Sequence, residues 1–384
     1  MKKDVIIVGA GIIGMSLALS LSKKNKRVLL LEKDLKRSHL INRIYSISNK
    51  SKDFFKELNI WSGLNCINDI NKMKLFYRNF HDKNNLSFYS ETQKIGYIAQ
   101  SVDITNALLK QVTADKNIEL IDKVNLKNVI ERDENSFELE SSESGIYKAD
   151  YIFSCEGSNS FLKDQLNIKN SIKDYDSKAL VFSVQHENSN DNSAYQVFLE
   201  SGPIAFLPIS NNEFSMVISI KNKFYDSSLY CKENLPNYLN EVTNGFFGKM
   251  NIPEDIINFG LFGYNLDNYK HKNILFVGDS AHSVHPLAGM GLNLGLSDII
   301  EIIKAFEINT YKYGHYKFFD KYIRKQKIVN SQAIQQLELI EKFYAFENSF
   351  IGNLLIYGMS VINKSNFLKK NITNHANQNL SFFH

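Results

Sequence analysis

A glycine triplet framed by two apolar runs constrains this chain most. Asp4-Val5-Ile6-Ile7-Val8 is rich in β-branched residues, which predicts a parallel strand buried on both faces. Gly9-Ala10-Gly11-Ile12-Ile13-Gly14 follows at once and fits G-x-G-x-x-G. After a polar break from Lys23 to Lys26, Arg27-Val28-Leu29-Leu30-Leu31 forms a second apolar run that ends in Glu32. The pattern is strand, tight turn, helix, strand. The spacing of the glycines has a physical cause, since the first allows the turn, the second lets a pyrophosphate approach the backbone, and the third lets helix pack on strand. A phosphate group is then favoured by the free N–H groups and dipole of the helix N-terminus. Glu32, about 20 residues on, is placed to accept hydrogen bonds from ribose hydroxyls. Its carboxylate would repel a 2′-phosphate, so the expected ligand carries an adenosine without one, as in FAD or NAD.

The same opening superficially imitates an export signal, with two lysines before an apolar run. Asp4 at the border of that run and the interrupting glycines oppose this reading, and the stretch is too short and glycine-rich for a membrane span. Composition supports a globular chain: of 384 residues, 43% are hydrophobic and 22% charged, which excludes disordered, collagenous and multi-span membrane classes. The net charge is +4, and lysines alternate with acids rather than cluster, so no nucleic-acid partner is expected. Cys66, Cys155 and Cys231 are too scattered for a disulfide framework or zinc site, which points to a reducing, cytoplasmic setting.

Further along, Phe54, Phe55, Leu58 and Ile60 predict an amphipathic helix in the second half of 42–61. Short strands are expected between Met73 and Tyr89, and a helix over Val102–Val112 with Asp103 as its N-cap. Ile118–Ile121, Val129–Glu131 and Ser136–Leu139 read as short strands, and Ala149–Cys155 as a buried one. From Ala179 to Ile220 four β-rich stretches follow one another, predicting a mostly antiparallel second domain inserted into the nucleotide-binding one. Ile274–Val277 then resumes the first domain. Helical spacing covers Ser297–Phe306 and Tyr322–Phe346.

The segment 274–298, ILFVGDSAHSVHPLAGMGLNLGLSD, is the most specific in the chain. An acid at a strand end, a Pro-containing loop with Gly289 and Gly291, and a helix supply a carboxylate for a sugar-like hydroxyl and a helix N-terminus for a second electron-rich group. This suits a long cofactor bound at two ends. Asp279, His282 and His285 are spaced by three and invite a metal reading, but Gly278 and Pro286 disfavour one continuous helix, so no metal is expected.

With these motifs in place, the chain resembles the FAD-dependent aromatic hydroxylases related to p-hydroxybenzoate hydroxylase, and most of all their ubiquinone-biosynthesis, polyprenylphenol hydroxylase branch. The resemblance covers nearly the whole chain. Gly9, Gly11, Ile13, Gly14, Glu32 and Lys33 match the FAD adenosine site, and Arg43 in NRIYSIS matches an arginine near the FAD pyrophosphate. GYIAQ ends in Gln100 where the family usually has Glu. SCEGSNS places Glu156 and Gly157 where the family's Asp-Gly pair contacts NAD(P)H. Met290 stands where Gln is usual between glycines.

The resemblance implies an α/β (α+β) fold: a Rossmann-like FAD-binding domain over 1–72, 96–178 and 265–345, an interleaved, mostly antiparallel β substrate domain over 73–95 and 179–264, and C-terminal helices over 346–384. Asp279 is expected at the ribityl chain and Pro286 to Gly289 along the isoalloxazine ring. The amides of Leu292 and Asn293, after Gly291, are expected to face flavin N1 and O2 and to stabilise negative charge there. GPIAFLP corresponds to a strand facing the substrate, which makes Phe206, Leu207 and Pro208 the expected lining.

The implied reaction needs no acid–base dyad, and no catalytic residue is assigned. NADPH or NADH reduces FAD, O2 adds to give a C4a-hydroperoxyflavin, and an electron-rich, polyprenylated phenol or quinol attacks its distal oxygen. The protein orients the ring and excludes water. Two alternatives stay open: a non-catalytic flavin-binding scaffold of a biosynthetic complex, and a flavin-dependent prenyl reductase. A halogenase is disfavoured, since Trp61 is the only Trp and the W-x-W-x-I-P motif is missing. The apolar stretch Phe350–Ile362, followed by Lys364, Lys369 and Lys370, is expected either to pack on the FAD domain or to offer a surface to the inner face of the membrane or to a ubiquinone-biosynthesis complex.

Overall fold

The computed structural model describes residues 3–36, 43–78, 80, 85–89, 94–133, 136–143, 145–283, 290–308 and 319–344. The chain opens with β1 (Lys3–Val8), α1 (Ile12–Ser22) and β2 (Val28–Leu31). It continues through β3 (Ile44–Ile47), α2 (Asn49–Glu57), β4 (Ile67–Ile70), β5 (Lys72–Tyr77), β6 (Asn85–Tyr89) and β7 (Gly96–Gln100). Next come α3 (Ser101–Ala114), β8 (Ile118–Ile121), β9 (Leu126–Asp133), β10 (Ser136–Ser141), β11 (Ile146–Tyr147), β12 (Ala149–Ser154) and α4 (Phe161–Gln165). The β-rich part holds β13 (Asn170–His186), β14 (Ser193–Leu199), β15 (Gly202–Ser210), β16 (Glu213–Lys221), α5 (Leu235–Val242), β17 (Met250–Asn251) and β18 (Ile257–Leu266). The chain closes with β19 (Lys270–His271), β20 (Ile274–Phe276), β21 (His282–Ser283), α6 (Met290–Ile308) and α7 (Phe319–Tyr344).

The first sheet has the order β19-β20-β12-β1-β2-β8, and all its pairs are parallel except β19 with β20. Continuous apolar runs make this possible, because both faces are covered. Val5 and Ile7 pack with α1, α3 and α6 on one side, and Ile6 and Val8 with Phe137, Leu139 and Tyr269 on the other. The β9–β11 strands form a small antiparallel sheet beneath that second face, and β3-β7-β4 form another.

The large sheet has the order β21-β18-β13-β16-β15-β14-β5-β6, with β17 paired to β13. It is antiparallel except where β14 runs parallel to β5. Strand β13 begins nine residues before the apolar run read from the sequence: most of 172–178 is open to solvent, and a register irregularity between Asp174 and Lys178 interrupts its pairing with β18. Leu180, Phe182, Ile204, Phe206, Met216 and Ile218 face one way, into a core closed by Leu235 and Leu239 of α5. Strand alternation therefore turns Val181, Ala205, Leu207 and Val217 to the opposite face.

Asp103 is not the cap of its helix. Helix α3 starts at Ser101, and Asp103 accepts hydrogen bonds from Asn65 N at 2.6 Å and Cys66 N at 2.9 Å, tying a neighbouring loop instead. The C-terminal stretch 346–384 lies outside the described residues. Among the described residues no helix is long and apolar enough to cross a membrane.

Candidate cofactor and substrate site

Four parallel strands deliver four motifs to one edge of the first sheet. The carboxyl ends of β1, β2, β12 and β20 carry the Gly9–Gly11 turn, Glu32, the Cys155–Gly157 turn and Gly278–Asp279. In open α/β sheets such an edge is where ligands bind. Gly9 has φ +100°, and a side chain there would collide with the Cys155 carbonyl. A Cβ on Gly14 would run into the Gly9 carbonyl, so helix α1 lies on the turn only because Gly14 has none. Gly11 differs: nothing lies within 4 Å of where its Cβ would stand. The space is open to a ligand, and the first amides of α1 point toward it without intrahelical partners.

Glu32 is held at this edge. Its Oε2 accepts from Ala10 N at 2.6 Å, and its Oε1 from Lys33 N at 2.9 Å and Asp34 N at 3.0 Å. Lys33 itself is exposed. The Ile13 side chain lies beside Gly278 and Gly295, joining α1 to α6.

Arg43 and Gln100 are brought together by the small β3-β7-β4 sheet. Ile44 pairs with Gln100, Arg43 N donates to Ser101 Oγ at 2.8 Å, and Ser101 N donates to Arg43 O at 2.7 Å. Beside them stands Tyr45, which no sequence motif singled out. Its hydroxyl pKa is raised by burial, opposed by Arg43 and reinforced by Asp279, so it lies within electrostatic reach of both. Only the arginine two residues earlier could have signalled it.

Asp279 is reached by solvent. It is nevertheless enclosed closely enough that desolvation pushes its carboxyl above the usual range, against the pull of His282 and Arg43. That combination marks a carboxyl on the floor of a cleft. The Tyr264 hydroxyl donates to the Asp279 carbonyl. Asp279 belongs to a short turn and His282 to a short strand, so they share no helical face, and His282 is engaged by Asp298 at 2.7 Å. His285 lies outside the described residues, as do Pro286 and Gly289.

Helix α6 is described from Met290, so the amides of Gly291, Leu292 and Asn293 fall in its first turn. Nothing lies within 4 Å of a Cβ built on Gly291. The Asn293 side chain is occupied otherwise: Oδ1 accepts from Ser48 N at 3.0 Å and Ser51 Oγ at 2.7 Å, and Nδ2 donates to Ser46 O at 2.8 Å.

Two expectations need correction. Glu156 does not reach outward. Its carboxylate turns back to accept from Ser154 Oγ at 2.8 Å, Ser160 Oγ at 2.7 Å, Phe161 N at 3.0 Å and Leu162 N at 3.3 Å, so it caps α4. The extra methylene gives it this reach, which leaves Gly157, with φ +78° and open space at its Cα, as the part of the pair that faces out. The second correction concerns Phe206, Leu207 and Pro208, because three successive residues of a strand cannot line one pocket. Phe206 is fully buried against Phe214 and Phe247 on the α5 side, and Pro208 is buried on that same side. Of the three, Leu207 alone faces the small β3-β7-β4 sheet, packed with Ile70 and Ile98. Ala205, Val217 and Val181, which share its face, were missed because sequence alternation does not say which phase points to the site.

Open backbone at Gly11 and Gly291, a fixed carboxylate at Glu32 and a cleft carboxyl at Asp279 fit a dinucleotide carrying ribose, pyrophosphate and a second sugar-like chain. A family profile described as FAD binding domain matches residues 2–336. A mitochondrial ubiquinone biosynthesis monooxygenase of Dictyostelium discoideum is 23% identical, with 95% of this chain and 89% of that protein covered. A 3-demethoxyubiquinol 3-hydroxylase of Escherichia coli is 25% identical, covering 97% of this chain and 98% of that protein. Among solved structures, p-nitrophenol 4-monooxygenase from Pseudomonas putida superposes with a TM-score of 0.80 at 12% identity, covering 98% of this chain and 97% of that one.

Proposed function

The chain belongs to this family of FAD-binding proteins, and from that premise we propose that it is an FAD-dependent monooxygenase that hydroxylates the ring of a polyprenylated phenol or quinol in ubiquinone biosynthesis. One observation carries the reading: the glycine turn, Glu32 and Asp279 converge at one sheet edge, and Leu207, with Ala205, Val217 and Val181 on its face of the large sheet, packs toward the β4 and β7 strands that carry Gln100. In the overall reaction one atom of O2 enters the ring, the other leaves as water, and NAD(P)H supplies the two electrons.

Bound FAD supplies the activation of O2 after reduction by NAD(P)H. The chain's own residues position and shield. The Gly11 backbone lets the pyrophosphate approach, Glu32 accepts from the ribose hydroxyls, and Arg43 and Gln100 flank the pyrophosphate. Asp279 accepts from the ribityl hydroxyls. The amides of Leu292 and Asn293, in the first turn of α6, would stabilise negative charge on the bound ring system. The Gly157 backbone faces NAD(P)H. Leu207 and its neighbours keep water from the reacting carbon. A substrate with a long apolar tail is drawn from a bilayer, so the enzyme works at the inner membrane face without crossing it.

The test is the visible spectrum of the purified protein, followed anaerobically as NADPH is added with and without a prenylated phenol. Flavin bleaching that accelerates with the phenol supports the hydroxylase. Bound flavin that bleaches with neither NADPH nor NADH favours a scaffold, and no flavin after reconstitution with FAD overturns the reading altogether.

A further inference from the structure

A row of apolar side chains crosses the large sheet at right angles to its strands. Ala205 lies opposite Val217, Val217 opposite Val181, and Val181 opposite Ile257, so β15, β16, β13 and β18 each contribute one residue to the same face. Three strand spacings make the row about 14 Å long. Its inner end adjoins Leu207, which touches the β4 and β7 strands beside Arg43 and Gln100, and the buried Gln196 opposite Ala205 closes it. Its outer end reaches the edge of the sheet, because β21 pairs with β18 only at Tyr264 and Asn265.

That edge is unusual. Exposed edge strands are ordinarily protected by charges or Pro, yet Ile257–Gly263 reads INFGLFG with neither. Ile257 is 52% exposed and Phe259 45%. Lys178, paired with Gly260, points to the other face, where its ammonium lies 4.1 Å from the Tyr225 ring centre. Flanking the row, Ser183 and Ser215 on one side and Ala179 and Ser219 on the other are small, and Ser215, Ala179 and Ser219 are buried, so the row stands above them as a continuous apolar lane. Half-buried valines with no hydrogen-bonding partner at their centre favour an extended hydrocarbon over a peptide or a polar ligand.

We propose that the row Ala205–Val217–Val181–Ile257 seats the isoprenoid tail of the substrate, with the ring at the Leu207 end and the tail leaving over the sheet edge past Phe259. The assignment rests on the functional reading above and adds where tail length is sensed.

The experiment uses the full-chain holoenzyme, two phenols with the same ring, one tail-less and one farnesylated, and the variants Val181→Phe and Ile257→Asn. Binding is measured by calorimetry, and KM from phenol-stimulated NADPH oxidation. The wild type should bind the farnesylated phenol at least tenfold more tightly. Val181→Phe should abolish that preference, and Ile257→Asn, at a solvent-exposed position that tolerates a polar side chain, should reduce it several-fold. Equal binding of the two phenols by the wild type, or a preference unchanged in both variants, overturns the lane. NADPH oxidation stimulated by the tail-less phenol would in that case leave the hydroxylase reading standing, whereas no stimulation by either phenol would remove the hydroxylase reading itself. Loss of vesicle binding in Ile257→Asn with the tail preference intact would assign the edge to membrane contact and also overturn the proposal.

Discussion

His282 Nε2 and Asp298 Oδ2 meet at 2.7 Å with side-chain exposures of 1% and 0%. The same Oδ2 accepts from Gly278 N at 3.0 Å, so the pair fixes the turn that presents Asp279. Burial by itself lowers the imidazole pKa, but the Asp298 charge and hydrogen bond outweigh it, and the net is a rise above the ordinary 6.5. A raised folded-state pKa gives stability that is complete below the unfolded value and lost as pH rises through the folded one. Thermal melts across pH should therefore show the wild type losing stability above pH 6.5, with that segment missing in His282→Asn. Asp298→Ala, which leaves both His282 and the Gly278 amide unpartnered, should cost about 3–5 kcal/mol in denaturant titrations.

Two glycines of one motif should respond in opposite ways. Gly14→Ala forces a Cβ into the Gly9 carbonyl and should lower the melting temperature of the FAD-free protein. Gly11→Ala meets nothing within 4 Å and should melt like the wild type. On the proposed reading its methyl group would stand where the pyrophosphate approaches, so FAD affinity should fall by about tenfold or more, a loss of at least about 1.4 kcal/mol. Equal loss of stability in both variants would contradict this division.

These glycines were legible in the sequence because their cause is local: a turn, a close approach and a helix start recur at fixed spacing. The strands β1, β2, β12 and β20 were legible too, since burial on both faces leaves unbroken apolar runs. What failed to show was direction. The same alternation in GPIAFLP fits Phe206 inward or Leu207 inward, and only the packing of α5 against Phe206 decides it. Glu156 looked like a longer copy of an outward-facing Asp, yet the extra methylene lets it turn back to the α4 amides, a three-dimensional choice that composition cannot encode. The first part of β13 hid its strand because most of 172–178 is solvated.

Glu156 should behave as a helix cap rather than a nucleotide contact. Truncating it in Glu156→Ala removes acceptors from two hydroxyls and two amides and should cost about 1–3 kcal/mol. Burial pushes its carboxyl above 4.5, more strongly than the hydrogen bonds from Ser160 and Ser154 pull it down. Folding therefore favours the protonated form, and stability should fall as pH rises from 4.5 through the folded value. Glu156→Gln should lose that dependence while the KM for NADPH stays as in the wild type. A large rise in that KM with unchanged stability would restore the outward-facing role.

Asn293 links the α6 N-terminus to β3 and α2 through three hydrogen bonds, to Ser48, Ser51 and Ser46. Asn293→Leu loses all three and leaves Ser46 O and Ser48 N without that partner, so the expected cost is about 2–4 kcal/mol. Asn293→Asp separates packing from electrostatics. It keeps the acceptor for Ser48 and Ser51, and a carboxylate in the first turn of α6 favours the helix itself. The same negative charge stands beside the amides proposed to stabilise an anionic reduced flavin, so it opposes reduction. A repulsion of about 1.4 kcal/mol lowers a two-electron potential by about 30 mV. Spectroelectrochemical titration of the FAD-loaded variant should show a drop of that order, while its melting temperature stays closer to the wild type than that of Asn293→Leu. An unchanged potential would mean that the amides of Leu292 and Asn293 do not face the reducible ring.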